Sequence, residues 1–181
     1  MTARFSAVFV GAALAICASG AAAQSSAPAG KVVELGVDAV IATTLGDNKY
    51  TTVAIPNADF RVGFYVNNDL SIEPRVAINS VSGSGSTYTE YKGEVGVLYH
   101  FVPSTRIGAG PYVRPFAGFV GESGGGSETQ LELGAGVGTK IPFGDRMATR
   151  IEANYAHLSS SDYNDSVNQL AFSIGISFFT R

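Results

Sequence analysis

Few residues in this chain are placed to do chemistry. The most suggestive are His157, Leu158 and Ser159, because a serine hydroxyl attacks an ester only when a neighbouring imidazole accepts its proton. On a strand, positions 157 and 159 share a face, so Ser159 would be the nucleophile and His157 its base. Glu132 and Glu152 could work as acid and base, but basic residues interleave with them, and a lattice of ion pairs is the simpler reading. The run from Gly134 to Lys140 has the glycines of a phosphate loop without the adjacent Gly-Lys pair or a following helix. His100 stands alone and reads as a hydrogen-bonded structural histidine. No His, Cys, Asp or Glu cluster has metal-ligand spacing, so neither a metal nor another cofactor is expected.

The elements that would position these residues are strands. The clearest is Val167–Phe179, where Leu170, Phe172, Ile174, Ile176 and Phe178 alternate with Ala171, Ser173, Gly175 and Ser177. Seven more segments precede it, at 31–44, 60–66, 70–81, 87–102, 111–121, 128–141 and 147–159. Several reach the nine to eleven residues, roughly, that a tilted strand needs to cross a bilayer. No long apolar period of 3.6 residues occurs in this region, so helix is not expected. The connections at 67–69, 103–106 and 142–146 are short. Those at 46–59, 82–86, 122–127 and 160–166 are mostly longer and rich in Gly, Ser and Asp.

One face of these strands is apolar throughout. The other carries Glu34, Asp38, Arg61, Glu73, Arg75, Glu90, Lys92, Glu94, His100, Arg114, Glu132, Lys140, Arg150 and Glu152. Gly36, Gly63, Gly96, Gly134, Gly136, Gly138 and Gly175 lie on that polar face too. A soluble barrel binding an apolar ligand would show the same alternation with the faces reversed. Glycines crowding the charged face suit a narrow lumen, and an unbroken apolar face with aromatic residues near strand ends suits lipid. The expectation is therefore an all-β, eight-stranded, antiparallel, up-and-down transmembrane barrel, with the soluble periplasmic barrel as the alternative.

The N-terminal stretch fits this reading. Arg4 is the only charge before Lys31, residues 7–18 form a short apolar run, and Ala21-Ala22-Ala23 resembles a signal-peptidase site. Cys17 follows Leu14-Ala15-Ile16, but a lipobox needs a small residue where Ile16 stands. We expect a signal peptide over 1–23, cleaved after Ala23, a polar leader over 24–30, and one barrel domain over 31–181. Arg4 leaves with the signal, so 15 acidic groups then face 11 basic ones and the net charge is −4. That balance, without a basic run, excludes nucleic acid as a partner. Only 15% of residues are charged, low for a soluble domain, where about a quarter is usual.

This combination of signal, alternating strands and Phe-rich last strand resembles the small OmpA/OmpX-type outer-membrane barrels. The resemblance implies a Gram-negative outer-membrane location, lipid and lipopolysaccharide as neighbours, a monomer, and Val167–Phe179 as the strand read by the barrel assembly machinery. Phe178-Phe179 is followed here by Thr180-Arg181, where the family usually stops on the aromatic. Fold does not settle function; the default is a structural or interaction role without catalysis. The His157-x-Ser159 spacing, with Asn164 and Asn168 beyond it, resembles the motif of outer-membrane lipid A deacylases and implies an esterase as the alternative, with Asp162 or Asp165 as the acid that orients the imidazole. Ser160 stands where that family has asparagine.

Overall fold

Side chains that alternate in polarity along consecutive strands demand two separated faces, and the chain provides them by closing on itself. A computed structural model describes residues 32–45, 51–83, 86–101, 109–123, 127–159 and 165–180. The strands are β1 (Val33–Leu45), β2 (Thr51–Tyr65), β3 (Leu70–Gly83), β4 (Ser86–His100), β5 (Gly110–Ser123), β6 (Ser127–Phe143), β7 (Met147–Leu158) and β8 (Val167–Phe179). Each pairs antiparallel with the next, and β1 pairs with β8 from Glu34↔Phe179 to Leu45↔Asn168. The result is a closed eight-stranded barrel, with no helix among the described residues. The stretches 1–31, 103–106 and 124–126, with Asp162 and Asn164, lie outside the described residues.

Sequence chemistry fixes the short turns. Between β2 and β3, the Asn67 side-chain oxygen accepts the amides of Asp69 and Leu70 at 2.8 and 2.7 Å, closing an Asx turn. Between β6 and β7, Gly144 takes φ +65°, a conformation that disfavours any side chain. Both turns lie at the end that also holds the start of β1 and the end of β8.

The expected loop over 46–59 needs correction. Within it β2 already begins at Thr51, pairing as far as Thr43↔Thr51 with β1. Asp38 opposes Asp59 while Val40 opposes Ala54, so Ala39 alone faces residues 55–58. That bulge, with Pro56 inside it, breaks the period of two and hides the strand from pattern reading.

The seam between β2 and β3 is the least complete. Its pairs are Phe60↔Val76, Arg61↔Arg75, Phe64↔Ile72 and Tyr65↔Ser71 only. The Leu70 carbonyl accepts the Val66 amide across to β2, whereas Asp69 accepts the His100 amide across to β4. Even-numbered residues of β3 therefore turn their backbone groups toward β2. Pro74 is one of them and has no N–H to offer, which accounts for the interruption in the middle of the seam.

Large and small residues oppose one another across the wall. Gly36 faces Arg61, Gly63 faces Glu34, Gly175 faces Asp38, Gly134 faces Phe116 and Gly138 faces Tyr112. A Cβ added at Gly36 would fall within the Arg61 guanidinium, and one at Gly138 would meet the Tyr112 ring. Gly36→Val should accordingly lower stability by about 1–3 kcal/mol through overpacking. Urea titration of the barrel in phospholipid vesicles reads this as a lower midpoint with an unchanged slope.

Candidate functional site

The charged face turns inward. Glu34, Asp38, Arg61, Glu73, Arg75, Glu94, Arg114, Glu132, Lys140, Arg150 and Glu152 are all buried, most of them completely. Lys92 is the most open cation of this set, its side chain 25% exposed. These groups form one connected set of ion pairs. Lys140 and Arg61 both hold Glu34, Arg61 reaches Asp38 at 2.8 Å, and Ser177 of β8 accepts from Arg61 at 2.8 Å. Glu73 accepts from Arg75 at 2.9 Å and Arg150 at 2.5 Å. Glu152 is the hub, taking Arg75 at 3.2 Å, Arg114 at 2.9 Å, Arg150, and the Tyr112 hydroxyl at 2.7 Å. Glu94 bridges Arg114 to Lys92, and Lys92 ends the chain on Glu132 at 2.9 Å. Six cations meet six carboxylates, so the buried charge is balanced. Glu132 and Glu152 are thus committed to cations, and Lys140 to Glu34. The glycine run before Lys140 is a stretch of wall.

Both ends of this ionic column are capped by less polar groups. At the short-turn end, Tyr65 packs against Val32 and Phe179, and the His100 ring lies between Tyr65 and Tyr112, 6.0 and 5.6 Å from their centroids. His100 was expected to be hydrogen-bonded. Instead neither ring nitrogen has a hydrogen-bond partner among the described residues, and the ring lies stacked on Tyr65 and tilted against Tyr112. At the other end, Phe116, Ala156 and Leu158 form a buried cluster with Val120 and Val167 beside it. Arg114 and Lys92 lie over the Phe116 ring, 4.3 and 5.8 Å from its centre, joining that cap to the ion pairs. Pattern reading missed both caps, although Phe116 shares its face with Arg114, and Leu158 with Glu152.

Two further carboxylates stand at the outer end. Asp59, which had been read as part of a loop, opposes Asp38 in the ladder and is half-buried. Glu90, expected inside, is also half-buried and lies opposite Glu122.

The His157 and Ser159 side chains both sit near the outer rim, but their contacts diverge. His157 is the last outward residue of β7 and donates from Nδ1 to the Asn168 side-chain oxygen at 3.0 Å. Ser159 follows the strand, where its hydroxyl accepts the Leu131 amide at 3.0 Å and its own amide donates to the Leu131 carbonyl at 2.8 Å. Each of these contacts leads to a different neighbouring strand. Asp165 is exposed.

The uncharged face turns outward. Ile78, Val95, Leu133, Val137, Phe172 and Ile174 are 45–72% exposed, members of a belt that runs round the whole barrel. Residues 9–178 match the family described as outer membrane protein beta-barrel domain. The chain belongs to that family. Its fold is shared with neisserial surface protein A, at a TM-score of 0.64 and 15% identity, over 84% of this chain and 99% of that one. AlkL, solved in lipid bilayers, matches at 0.54 and 15% identity over 90% and 96%. OprG of Pseudomonas aeruginosa matches at 0.54 and 10% over 85% and 97%. No curated protein is significantly similar in sequence. Members of this family are outer-membrane barrels, so the belt is the lipid-facing surface and the ion pairs are its packed interior. A soluble barrel that binds an apolar ligand would need these two faces exchanged.

Proposed function

We propose that the protein is a closed outer-membrane barrel whose role is structural or interactive, presenting its loops outside the cell, with neither conduction nor catalysis. The observation that carries this reading is the balanced, continuous column of ion pairs, capped at both ends by aromatic and aliphatic side chains. An eight-stranded barrel encloses only enough space for its own side chains, and a conducting path would require charges that water, rather than one another, satisfies. The reading includes export with cleavage after Ala23, insertion as a monomer among lipid and lipopolysaccharide, and recognition of Val167–Phe179 by the assembly machinery. The protein should fractionate with the outer membrane and migrate differently in gels when unboiled.

Purified protein in planar bilayers should give no steady single-channel steps. Reproducible steps of one size would overturn the closed lumen. The same reading expects identical lipid A acyl patterns in cells with the protein, without it, and with Ser159→Ala. An acyl chain lost only when Ser159 is intact would establish the esterase instead.

A further inference from the structure

We propose that His100 is an acid-sensitive latch on the cap at the short-turn end: its uncharged ring holds the cap shut, and protonation releases it toward the periplasm. This rests on the reading that the short-turn end meets the periplasm. His100 ends β4, and its amide donates to the Asp69 carbonyl in the β2–β3 turn at 2.8 Å. The residue is only 2% exposed. Its ring stacks on Tyr65 with 27° between the planes, and Tyr112 tilts against it at 56°. Both tyrosines are anchored, since their hydroxyls donate to Glu34 at 2.8 Å and to Glu152 at 2.7 Å. The imidazole is thus a wedge between two fixed rings.

This wedge suits an uncharged ring and opposes a charged one. An imidazolium needs acceptors for two N–H groups, and neither ring nitrogen has a partner among the described residues. The flanking tyrosines already serve other cations. Lys140 Nζ lies 5.5 Å from the centre of Tyr65 and 5.6 Å from that of Tyr112, and Arg150 lies 4.8 Å from Tyr112. Glu34 on β1 and Glu73 on β3 also face His100, but Arg61 and Lys140 hold the first while Arg75 and Arg150 hold the second. From β8 comes only the Phe179 ring, packed on Tyr65. Asp69 gives its carbonyl to the His100 amide and not its carboxylate to the ring. The column balances without His100, so a proton there is surplus charge beside Lys140.

A ring turned out into the mouth finds water for both N–H groups, with the Asp69 carboxylate near its own strand end. The open cap takes up a proton near the ordinary histidine value, about 6.5, and the closed cap does not. Closure is therefore at full strength above that pH and weakens below it. The ratio of open to closed rises about tenfold for each pH unit. The ion pairs and the Phe116 cluster at the far end stay in place, so loosening this cap opens no pore.

The test is hydrogen exchange by NMR on the purified barrel in lipid nanodiscs, from about pH 7 to about pH 4.5. The His100 and Phe101 amides bond to the Asp69 and Pro111 carbonyls at this end. Below about pH 6.5 their protection, corrected for intrinsic exchange, should fall about tenfold per pH unit. Val137 and Ile174, midway along the wall, should keep theirs. His100→Phe leaves a flat ring in the wedge that takes up no proton, and its protection should stay constant over the same range. His157→Gln removes the other of the chain's two histidines and should behave as the wild type. In that variant the ring nitrogens of His100 should give the spectrum of an uncharged imidazole at pH 7, a readout independent of His100→Phe. An imidazolium there, no loss of protection, a loss shared equally by Val137 and Ile174, or one that His100→Phe retains would overturn the proposal. Orientation is read separately: an impermeant thiol reagent should not label Asp145→Cys in intact cells. Labelling would overturn release toward the periplasm while leaving the exchange result intact.

Discussion

Glu152→Ala lowers the unfolding free energy by about 3–5 kcal/mol, the usual cost of removing one partner from a buried ion pair. Glu152 accepts from Arg75, Arg114, Arg150 and Tyr112. Each arginine keeps another carboxylate, Glu73 or Glu94, so no single one is abandoned. What is lost is the balance, leaving six buried cations against five carboxylates. The surplus charge has nowhere to go, since Phe116 and Leu158 close one end and Tyr65 and Tyr112 the other. Urea unfolding in phospholipid vesicles should show the loss as a lower midpoint. Adding Arg150→Met restores the balance, so the double variant should be less damaged than the two single effects added together. A wild-type midpoint for Glu152→Ala would mean that the lumen is wet enough to solvate a free guanidinium.

Val137→Arg should cost about 2–4 kcal/mol, the price of a guanidinium at the middle of the hydrocarbon layer. Val137 is 60% exposed, midway along the outward face of β6, with Val113 and Ala153 beside it on the flanking strands. Leu131, on the same face, lies next to Thr129, whose hydroxyl meets that of Tyr91 at the rim. An arginine at Leu131 can reach the headgroups, so its cost should fall to about 0–1 kcal/mol. The difference between the two positions is the measurement, taken from folding equilibria in vesicles. Equal small effects would mean that the exposed face does not meet lipid.

Much of this architecture could be read from the sequence, because a membrane barrel separates polarity so sharply. Within each strand, counting in twos against its apolar positions puts Glu34 and Asp38, Arg61, Glu73 and Glu152 on the inner face, and all are buried. Counting fails where a strand breaks step. Ala39 against residues 55–58 is such a break, and it turned the start of β2 into an apparent loop. It also fails where both faces are apolar: in Pro111-Tyr-Val-Arg-Pro-Phe116, only Arg114 reveals which side is inward. The partners of each charge were out of reach for another reason. Arg61 to Ser177 and Arg75 to Glu152 join residues far apart in sequence, and their meeting depends on the curvature of the closed sheet. The His157-x-Ser159 spacing was legible, but the ends of strands release side chains in directions that periodicity does not give.

The ionic network draws on every strand: its ion pairs use Glu34 on β1, Arg61 on β2, Glu73 on β3, Lys92 on β4, Arg114 on β5, Lys140 on β6 and Arg150 on β7, and the Ser177 hydroxyl joins it from β8 by accepting from Arg61. A half-built sheet therefore satisfies few of them. Four strands from the N-terminus would hold Arg61 and Arg75 but leave Glu34 without Lys140 and Glu94 without Arg114. Such an open sheet would set four carboxylates of this set, Glu34, Asp38, Glu73 and Glu94, against three cations, Arg61, Arg75 and Lys92, and bare them all on the concave side that must enter the bilayer. Partial insertion is then uphill until the first and last strands join, so curling and crossing the membrane must proceed as one concerted event. Intermediates inserted with the sheet still open should not accumulate, and the barrel should appear in the membrane already shut.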